Sequence, residues 1–385
     1  MQWVLKATKF CNLRCKYCYE WDHLSDPTRM TLETWKNALI AIRDYSLMTE
    51  SMNGEIIPTD IIWHGGEPLV LPLSYFEEVL QLQREIFSDS WFQTARITNC
   101  IQTNLYSISD NQIDFLRDNA FNVGVSIDFF EGVRVSAGGQ ETQVKVKNNL
   151  ARLQEKNLPF DIITVIARHT ISDPARLFKE FSQFDSYVRL LPLFSGPAAR
   201  PMANAEASKE EILTALVELF EHWFDANMKP DIDPFDEALR VIVMKRMNLS
   251  TPKKDRGKFG SEVLVVDRDG SLSCVTTRDD RVIGNLNEQK ISEIVRTNSY
   301  LKLALDENFL KSKVCETCSY SSTCSTEPIS RNFDSNVLAD CPTEKYLYPL
   351  IEEFLEERNF FDEEFISVAN QMQNDYFRKV FSGPQ

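Results

Sequence analysis

The chain has 385 residues, 43% hydrophobic and 26% charged, which is enough apolar material for a core that needs no disulfide or metal to hold it. Disordered and collagen-like architectures are excluded. With 57 acidic against 42 basic side chains the net charge is −15, and nucleic acid is disfavoured as a partner because that affinity comes from neutralising phosphates.

Met1-Gln2-Trp3-Val4-Leu5-Lys6 lacks the basic-then-apolar pattern of a secretion signal, and no run reaches the ~20 apolar residues of a membrane span. The expectation is a cytoplasmic protein with no membrane partner. In a reducing compartment, clustered cysteines serve as metal ligands or catalytic groups more than as disulfides. Seven of the nine cysteines fall in two tight groups near opposite ends of the chain.

Through the first 200 residues, short β-branched runs at 3–8, 60–63, 96–102, 122–127, 160–167 and 187–193 predict six strands. Between them, 31–45, 75–87, 110–118, 142–155 and 174–184 carry helical periodicity. Strands alternating with such helices form βα units in a parallel sheet, and 200 residues are too few for a closed eight-stranded barrel of about 250. The α/β fold is therefore an incomplete barrel or an open sheet. Ser195-Gly196-Pro197 and Pro201 break the pattern. An amphipathic helix follows over 209–226, with Ile212, Leu216, Leu219, Phe220 and Trp223 on one face. A second helix is expected over 236–247 and a polar, basic linker over 251–256. From Val263 a hairpin is predicted, with Asp269-Gly270 at its turn. The last 45 residues, with nine acids against four bases, read as surface helices. The resulting division is 1–205, a core barrel; 206–256, a helical linker; 257–345, a cysteine-rich domain; and 346–385, a helical extension.

Polar motifs sit where the strands end. Cys11-Asn12-Leu13-Arg14-Cys15-Lys16-Tyr17-Cys18 follows the first strand, and His64-Gly65-Gly66-Glu67-Pro68 follows the second. The third ends in Gln102-Thr103-Asn104 and the fourth in Ser126-Ile127-Asp128. In parallel α/β folds these ends form the active-site face, so the four motifs converge on one pocket. Three thiols within eight residues suit zinc or an iron–sulfur cluster and leave one metal position open. His23 as a fourth ligand would instead make a structural zinc site. Gly65 and Gly66 lack a Cβ, which lets a ligand approach the backbone, and Glu67 offers a carboxylate to an ammonium group. Alone, the same four residues would read as a strand-to-helix turn.

Together, Cys-x3-Cys-x2-Cys and Gly-Gly-Glu-Pro resemble the radical S-adenosylmethionine (SAM) enzymes over residues 1–200. That resemblance implies a partial (β/α)6 barrel and a 4Fe-4S cluster on Cys11, Cys15 and Cys18, whose open iron chelates SAM. It places Gly65, Gly66 and Glu67 at the SAM amino group and Gln102 and Asn104 along the SAM pocket. Ser126 and Arg134 would meet the carboxylate, and Tyr17 would lie near the adenine. Reductive cleavage of SAM would then give a 5′-deoxyadenosyl radical that takes hydrogen from an unactivated carbon.

Cys315-x2-Cys318-x5-Cys324-x16-Cys341 supplies four thiolates in 27 residues, a closed site for zinc or a second cluster. With Gly270 and Cys274 it is similar to the SPASM domain that ends many peptide-modifying radical SAM enzymes. Lys258–Asp269 contains no cysteine and Pro328 stands where another is usual. The resemblance therefore implies a single auxiliary 4Fe-4S cluster on Cys315, Cys318, Cys324 and Cys341. Cys274 and Cys100 read as buried small hydrophobes.

Ile62-Trp63-His64-Gly65-Gly66-Glu67-Pro68-Leu69, Leu71-Pro72-Leu73 and Ile101-Gln102-Thr103-Asn104 look most like the cyclophane-forming peptide maturases. Those join an aromatic ring carbon to a nearby Cβ in a ribosomal precursor peptide, using a low-potential donor such as flavodoxin or ferredoxin. A thioether-forming maturase, a peptide epimerase with Cys274 as hydrogen donor, and an anaerobic sulfatase maturase are the rivals. Val275, where the last would carry an acid, counts against it. A zinc-stabilised scaffold without SAM chemistry is the contrasting class. Asp267, Asp269 and Glu327 lie near the cysteines, yet none is assigned as catalytic base. With Cys11 so near the start, leader binding is expected to use the core, the linker helices or a separate protein.

Overall fold

A computed structural model describes residues 1–193, 207–249, 263–274, 282–301, 315–324, 341 and 344–361. The six expected strands form: β1 (Gln2–Thr8), β2 (Thr59–Gly65), β3 (Ile97–Thr103), β4 (Asn122–Ser126), β5 (Phe160–Ile166) and β6 (Val188–Pro192). They lie side by side in chain order and all run parallel. Between them lie α1 (Leu32–Asn53), α2 (Leu73–Ile86), a short α3 (Asp89–Gln93), α4 (Asp110–Asp118), α5 (Gln143–Glu155) and α6 (Pro174–Phe181). This is the expected α/β architecture.

The two faces of the sheet divide by the two-residue period of a strand. Trp3, Leu5, Ile61, Trp63, Ile101, Val123, Val125 and Ile162 enter the core beneath the helices. Trp63 stacks on Phe76 at 4.7 Å and meets Trp35 at 4.4 Å. Burying each such side chain contributes roughly 1.5–3 kcal/mol. The residues between them, Lys6, Ile62, His64, Gln102, Gly124 and Ser126, fall on the inner face of the barrel.

The expected helix over 31–45 continues to Asn53. Ser46 and Thr49 make that stretch resemble a loop, but both are buried, and Thr49 Oγ1 donates to Ser46 O at 2.8 Å. Gly54, at φ +74°, ends the helix. Beyond residue 206, α7 (Lys209–Asp225), β7 (Ile232–Asp233) and α8 (Phe235–Arg246) follow, and β7 adds to the free side of β6. The linker at 251–256 and the break at 195–201 lie outside the described residues.

The expected hairpin is β8 (Val263–Val266) and β9 (Ser271–Cys274), followed by β10 (Val282–Asn285) and the short α9 (Ile291–Ile294). β8 pairs parallel with β1, Val4 opposite Val265, so one sheet runs β10-β9-β8-β1-β2-β3-β4-β5-β6-β7. The last described helix, α10 (Glu344–Glu357), was expected on the surface. It instead buries Leu347, Tyr348, Ile351 and Leu355 and sets Phe354 edge-on to Phe220 of α7 at 5.7 Å. One acid, Glu352, goes into the packing with them, paired with Lys245 and Arg246 of α8 at 2.7 and 2.6 Å, so acidic composition alone reads as surface where the helix is partly core. No helix among the described residues is long and apolar enough to cross a membrane.

Candidate active site at the strand ends

The first cysteine group occupies an irregular loop beyond β1, and such a loop must find partners for its backbone groups. Cys11 N donates to Leu24 O at 3.0 Å, closing the loop on itself. Arg14 N and Lys16 N donate to Val135 O and Val133 O at 2.7 and 3.0 Å, tying it to the segment after β4. Gly66 N and Glu67 N donate to Thr8 O and Phe10 O at 2.8 and 2.9 Å. The glycine pair is packed against this loop: a Cβ at Gly65 would lie 2.0 Å from Thr8 O, and one at Gly66 2.3 Å from both Lys9 O and Phe10 O. The close approach expected of a ligand is made by the cysteine loop's own backbone.

Glu67 also differs from expectation. Its carboxylate, 1% exposed, accepts from Leu69 N at 2.9 Å, Thr103 Oγ1 at 2.8 Å and Asn104 N at 2.7 Å. It thus ties the end of β2 to the end of β3, because a buried carboxylate is tolerated only when donors surround it. Asn104 passes the link on: its Nδ2 donates to Asn12 Oδ1 at 2.9 Å and reaches Cys11 Sγ at 3.5 Å. Leu13 N adds a second contact to Cys11 Sγ at 3.4 Å.

On the far wall, Asp128 is completely buried and gathers several groups. Its Oδ2 accepts from the Tyr17 hydroxyl at 2.6 Å and from Arg134 Nε at 3.0 Å, and Val165 N approaches Oδ1 at 3.2 Å. His169 Nε2 lies 3.7 Å from Oδ2, and its ring stands nearly parallel to Tyr17 at 6.3 Å. Burial alone pushes Asp128 upward, but Arg134, His169 and Tyr17 outweigh it and hold the carboxyl below its usual range. Arg134 spends only Nε on this contact. Gln102 Nε2 donates to Ser126 Oγ at 2.7 Å, with Gly124 leaving room for the Gln102 side chain.

The structure therefore sets the Cys11–Cys18 loop against the Gly65-Gly66-Glu67 turn and Asn104, joins Tyr17 and Arg134 at Asp128, and pairs Gln102 with Ser126 on the neighbouring strand ends. Asp128 and His64 stand in the strand-end motifs without an assigned role, and Lys6, Glu20 and His169 lie outside those motifs. Asp128 and His169 sit at or just past strand ends, the signal that found the others. Lys6 Nζ contacts Glu20 Oε1 at 2.5 Å, with both side chains less than a tenth exposed. Lys6 was hidden inside an apolar strand run.

Cys15 and Cys18 pack against the small buried cluster that contains Cys11. Burial first, then the Glu67 carboxylate, pushes Cys11 up to about 12; burial and then Cys15 push Cys18 up to about 12. Such thiols stay protonated at neutral pH unless a cation draws them into the thiolate form. Enclosed thiols with N–H groups aimed at Cys11 Sγ make a donor set suited to iron–sulfur ligation.

Cys315, Cys318 and Cys324 lie on one ten-residue turn segment, and Cys341 stands just before α10. Tyr320 hydroxyl to Glu352 at 2.5 Å and Lys345 Nζ to Thr317 Oγ1 at 3.5 Å hold that segment against α10. Lys345 N donates to Cys341 Sγ at 3.3 Å. Cys274 is buried in β9, within the core, as expected. Cys100 is only half-buried and falls on the inner face of β3, with Asn122 Nδ2 at 3.9 Å from its sulfur. Val275, Glu327 and Pro328 lie outside the described residues.

Comparison with known proteins gives the class. Residues 5–181 match the radical SAM superfamily and residues 258–319 the SPASM iron–sulfur cluster-binding domain. This chain is a radical SAM enzyme with a C-terminal SPASM domain. It is 25% identical over 341 residues to the serine-type anaerobic sulfatase-maturating enzyme of Bacteroides thetaiotaomicron, covering 82% of this chain and 79% of that one. It is 24% identical over 347 residues to a cysteine-type anaerobic sulfatase-maturating enzyme of Clostridium perfringens, covering 83% and 86%. Among solved structures, native anSMEcpe with bound AdoMet and Cp18Cys peptide superposes with a TM-score of 0.74 at 20% identity, covering 96% and 99%. Streptococcus suis SuiB bound to its precursor peptide SuiA gives 0.56 at 12% identity, covering 85% and 71%. These two structures share the fold.

Proposed function

We propose that this enzyme modifies a peptide, abstracting hydrogen from a side-chain carbon and forming a cyclophane cross-link in a ribosomal precursor. The observation that carries the SAM part is the meeting of Cys11, Cys15 and Cys18 with the Gly65-Gly66-Glu67 turn, each packed against the other. In this reading the three thiolates hold a 4Fe-4S cluster and Cys315, Cys318, Cys324 and Cys341 hold an auxiliary one. Bound SAM and the reduced cluster supply a carbon radical strong enough to take hydrogen from an unactivated carbon.

The chain's own side chains orient the ligand. Arg134, aligned through Nε by Asp128, offers its remaining N–H groups to the SAM carboxylate, with Ser126 and Gln102 beside it. Gly65, Gly66 and Glu67 serve the amino group through their backbone, since the Glu67 carboxylate is already surrounded by donors. Asn104 lines the pocket next to Cys11, and Tyr17 flanks the adenine. A low-potential flavodoxin or ferredoxin would supply the electron.

Peptide substrates in the similar structures support the substrate class. A second reading, maturation of a sulfatase, is favoured by the names of the relatives; Val275 in place of an acid opposes it. The test is anaerobic co-expression with the short peptide encoded beside the gene, followed by mass and fragmentation. Loss of two hydrogens mapped to an aromatic residue and its near neighbour supports the cyclophane. A change confined to one serine or cysteine of a sulfatase-type peptide supports the second reading. An unmodified mass with intact stereochemistry for both peptides overturns the peptide-maturase reading.

A further inference from the structure

His64 is the penultimate residue of β2, and only its Nδ1 is engaged by the SAM-site turn, through Gly65 N. Its neighbour Trp63 points into the helical core, so His64 faces the inside of the barrel. In register it lies opposite Lys6 of β1; Ile62 pairs with Cys100 and Trp63 with Ile101, which sets Gln102 beside it on β3. The inner face thus carries a polar row, Lys6, His64 and Gln102, leading toward Ser126.

The imidazole has one nitrogen committed. Gly65 N donates to His64 Nδ1 at 2.7 Å, which makes Nδ1 the acceptor and places the ring proton on Nε2. Nε2 has no partner among the described residues, and it is not sealed from solvent. Lys6 does not compete for the same role, because its ammonium is taken up by Glu20 at 2.5 Å. Burial, reinforced by the Lys6 ammonium, lowers the imidazole to about 4, so the ring is neutral near pH 7. The result is an uncharged N–H donor with a fixed tautomer, held on a strand and directed into the barrel.

We propose that His64 is a substrate-positioning residue whose Nε2–H donates to a backbone carbonyl of the peptide lying across the barrel interior. A peptide offers such an acceptor at every residue, and a neutral donor meets it without demanding a counter-ion. The inference rests on the peptide-maturase reading and adds the group that would hold the chain beside the SAM pocket.

Two substitutions separate the two ring nitrogens. His64→Asn keeps an acceptor near the Nδ1 position and loses the Nε2 donor; His64→Gln keeps an N–H near the Nε2 position. With the anaerobically reconstituted full chain and the precursor peptide encoded beside the gene, His64→Asn is expected to raise the peptide KM about tenfold, by the loss of one hydrogen bond. Its kcat should change by less than about threefold, and His64→Gln should restore most of the KM. Independently, carbethoxylation of the unsubstituted protein should label His64, and the peptide should protect it while exposed His23 remains labelled. An unchanged KM in His64→Asn, an equal rise in both variants, or no protection of His64 overturns the assignment alone. No 5′-deoxyadenosine from the reduced wild-type enzyme with SAM and peptide overturns the maturase reading, and this inference with it.

Discussion

Gly66→Ala asks whether the glycine pair exists to let the cysteine loop pass. The added Cβ would stand 2.3 Å from Lys9 O and from Phe10 O, about 1.1 Å inside ordinary contact at 3.4 Å. Neither atom is the end of a flexible side chain, and Phe10 O already accepts from Glu67 N at 2.9 Å. Moving the loop strands that bond, at about 1–3 kcal/mol, and overpacking adds about 1–3 kcal/mol. The total is roughly 2–6 kcal/mol, placed on the segment that carries Cys11. Gly54→Ala is the control: its φ is +74° but nothing lies within 4 Å, so only the backbone cost of ~1 kcal/mol applies. Iron and sulfide content after anaerobic reconstitution, with thermal unfolding, is the assay. Gly66→Ala should lose about half its iron, the share of the first cluster in a two-cluster protein, while Gly54→Ala keeps all of it. Full iron and an unshifted unfolding temperature in Gly66→Ala would refute the packing argument.

Asp128→Asn leaves the Arg134 charge buried without its counter-ion and should destabilise the protein by about 3–5 kcal/mol; calorimetry should also show weaker SAM binding, and unchanged unfolding would count against Asp128 as the hub. Asn104→Ala removes the amide contact to Cys11 Sγ. With about 1 kcal/mol at stake, the first cluster's midpoint should fall on the order of 40 mV in a redox titration, while iron content stays constant. Asp236, raised to about 6 by burial and then by Asp231, binds its proton more tightly folded than unfolded. Stability should therefore fall as pH rises from about 4 through about 6, and Asp236→Asn should raise the unfolding temperature at pH 8 yet not at pH 4. Asp267→Ala removes the partner of Lys9 at 2.9 Å and should increase hydrogen exchange across residues 9–26; unchanged exchange there would separate the hairpin from the loop.

Most of the fold was legible because its elements announce themselves locally. The strands are short runs rich in β-branched residues and the helices between them carry their own period, so the six strands and four of the five helices are legible within a few residues of their observed bounds; α1 runs eight residues further, to Asn53, than its apolar pattern suggests. Adjacency across the sheet is not local. Nothing in Val263–Val266 indicates that it will lie beside β1, since the pairing of Val265 with Val4 joins segments at opposite ends of the chain. Likewise α10 looked like an exposed helix until the apolar faces of α7 and α8 supplied something to pack against. For the site, strand-end position singles out Gln102, Asn104 and Ser126, and the resemblance adds Arg134, eight residues past the end of β4. It could not reveal that Glu67 faces backbone donors, or that Tyr17 and Asp128 share a hydrogen bond across 111 residues.

The irregular loop holding Cys11, Cys15 and Cys18 is ordered from several sides at once. The turn after β2 takes Thr8 and Phe10, the segment after β4 takes Arg14 and Lys16, and Asn104 after β3 takes Asn12. The β8–β9 turn adds two ion pairs, Asp267 to Lys9 at 2.9 Å and Arg268 to Asp26 at 2.5 Å. Each tether alone is worth little, and surface pairs least of all. Their combination removes the loop's freedom before any metal binds, so less of the binding energy must go into ordering the chain. The same arrangement couples the two cysteine-bearing parts mechanically: the hairpin that introduces the SPASM domain grips the loop of Cys11, Cys15 and Cys18 by both its flanks. A perturbation of the hairpin turn should therefore be felt at Cys11–Cys18 with no change to any thiol.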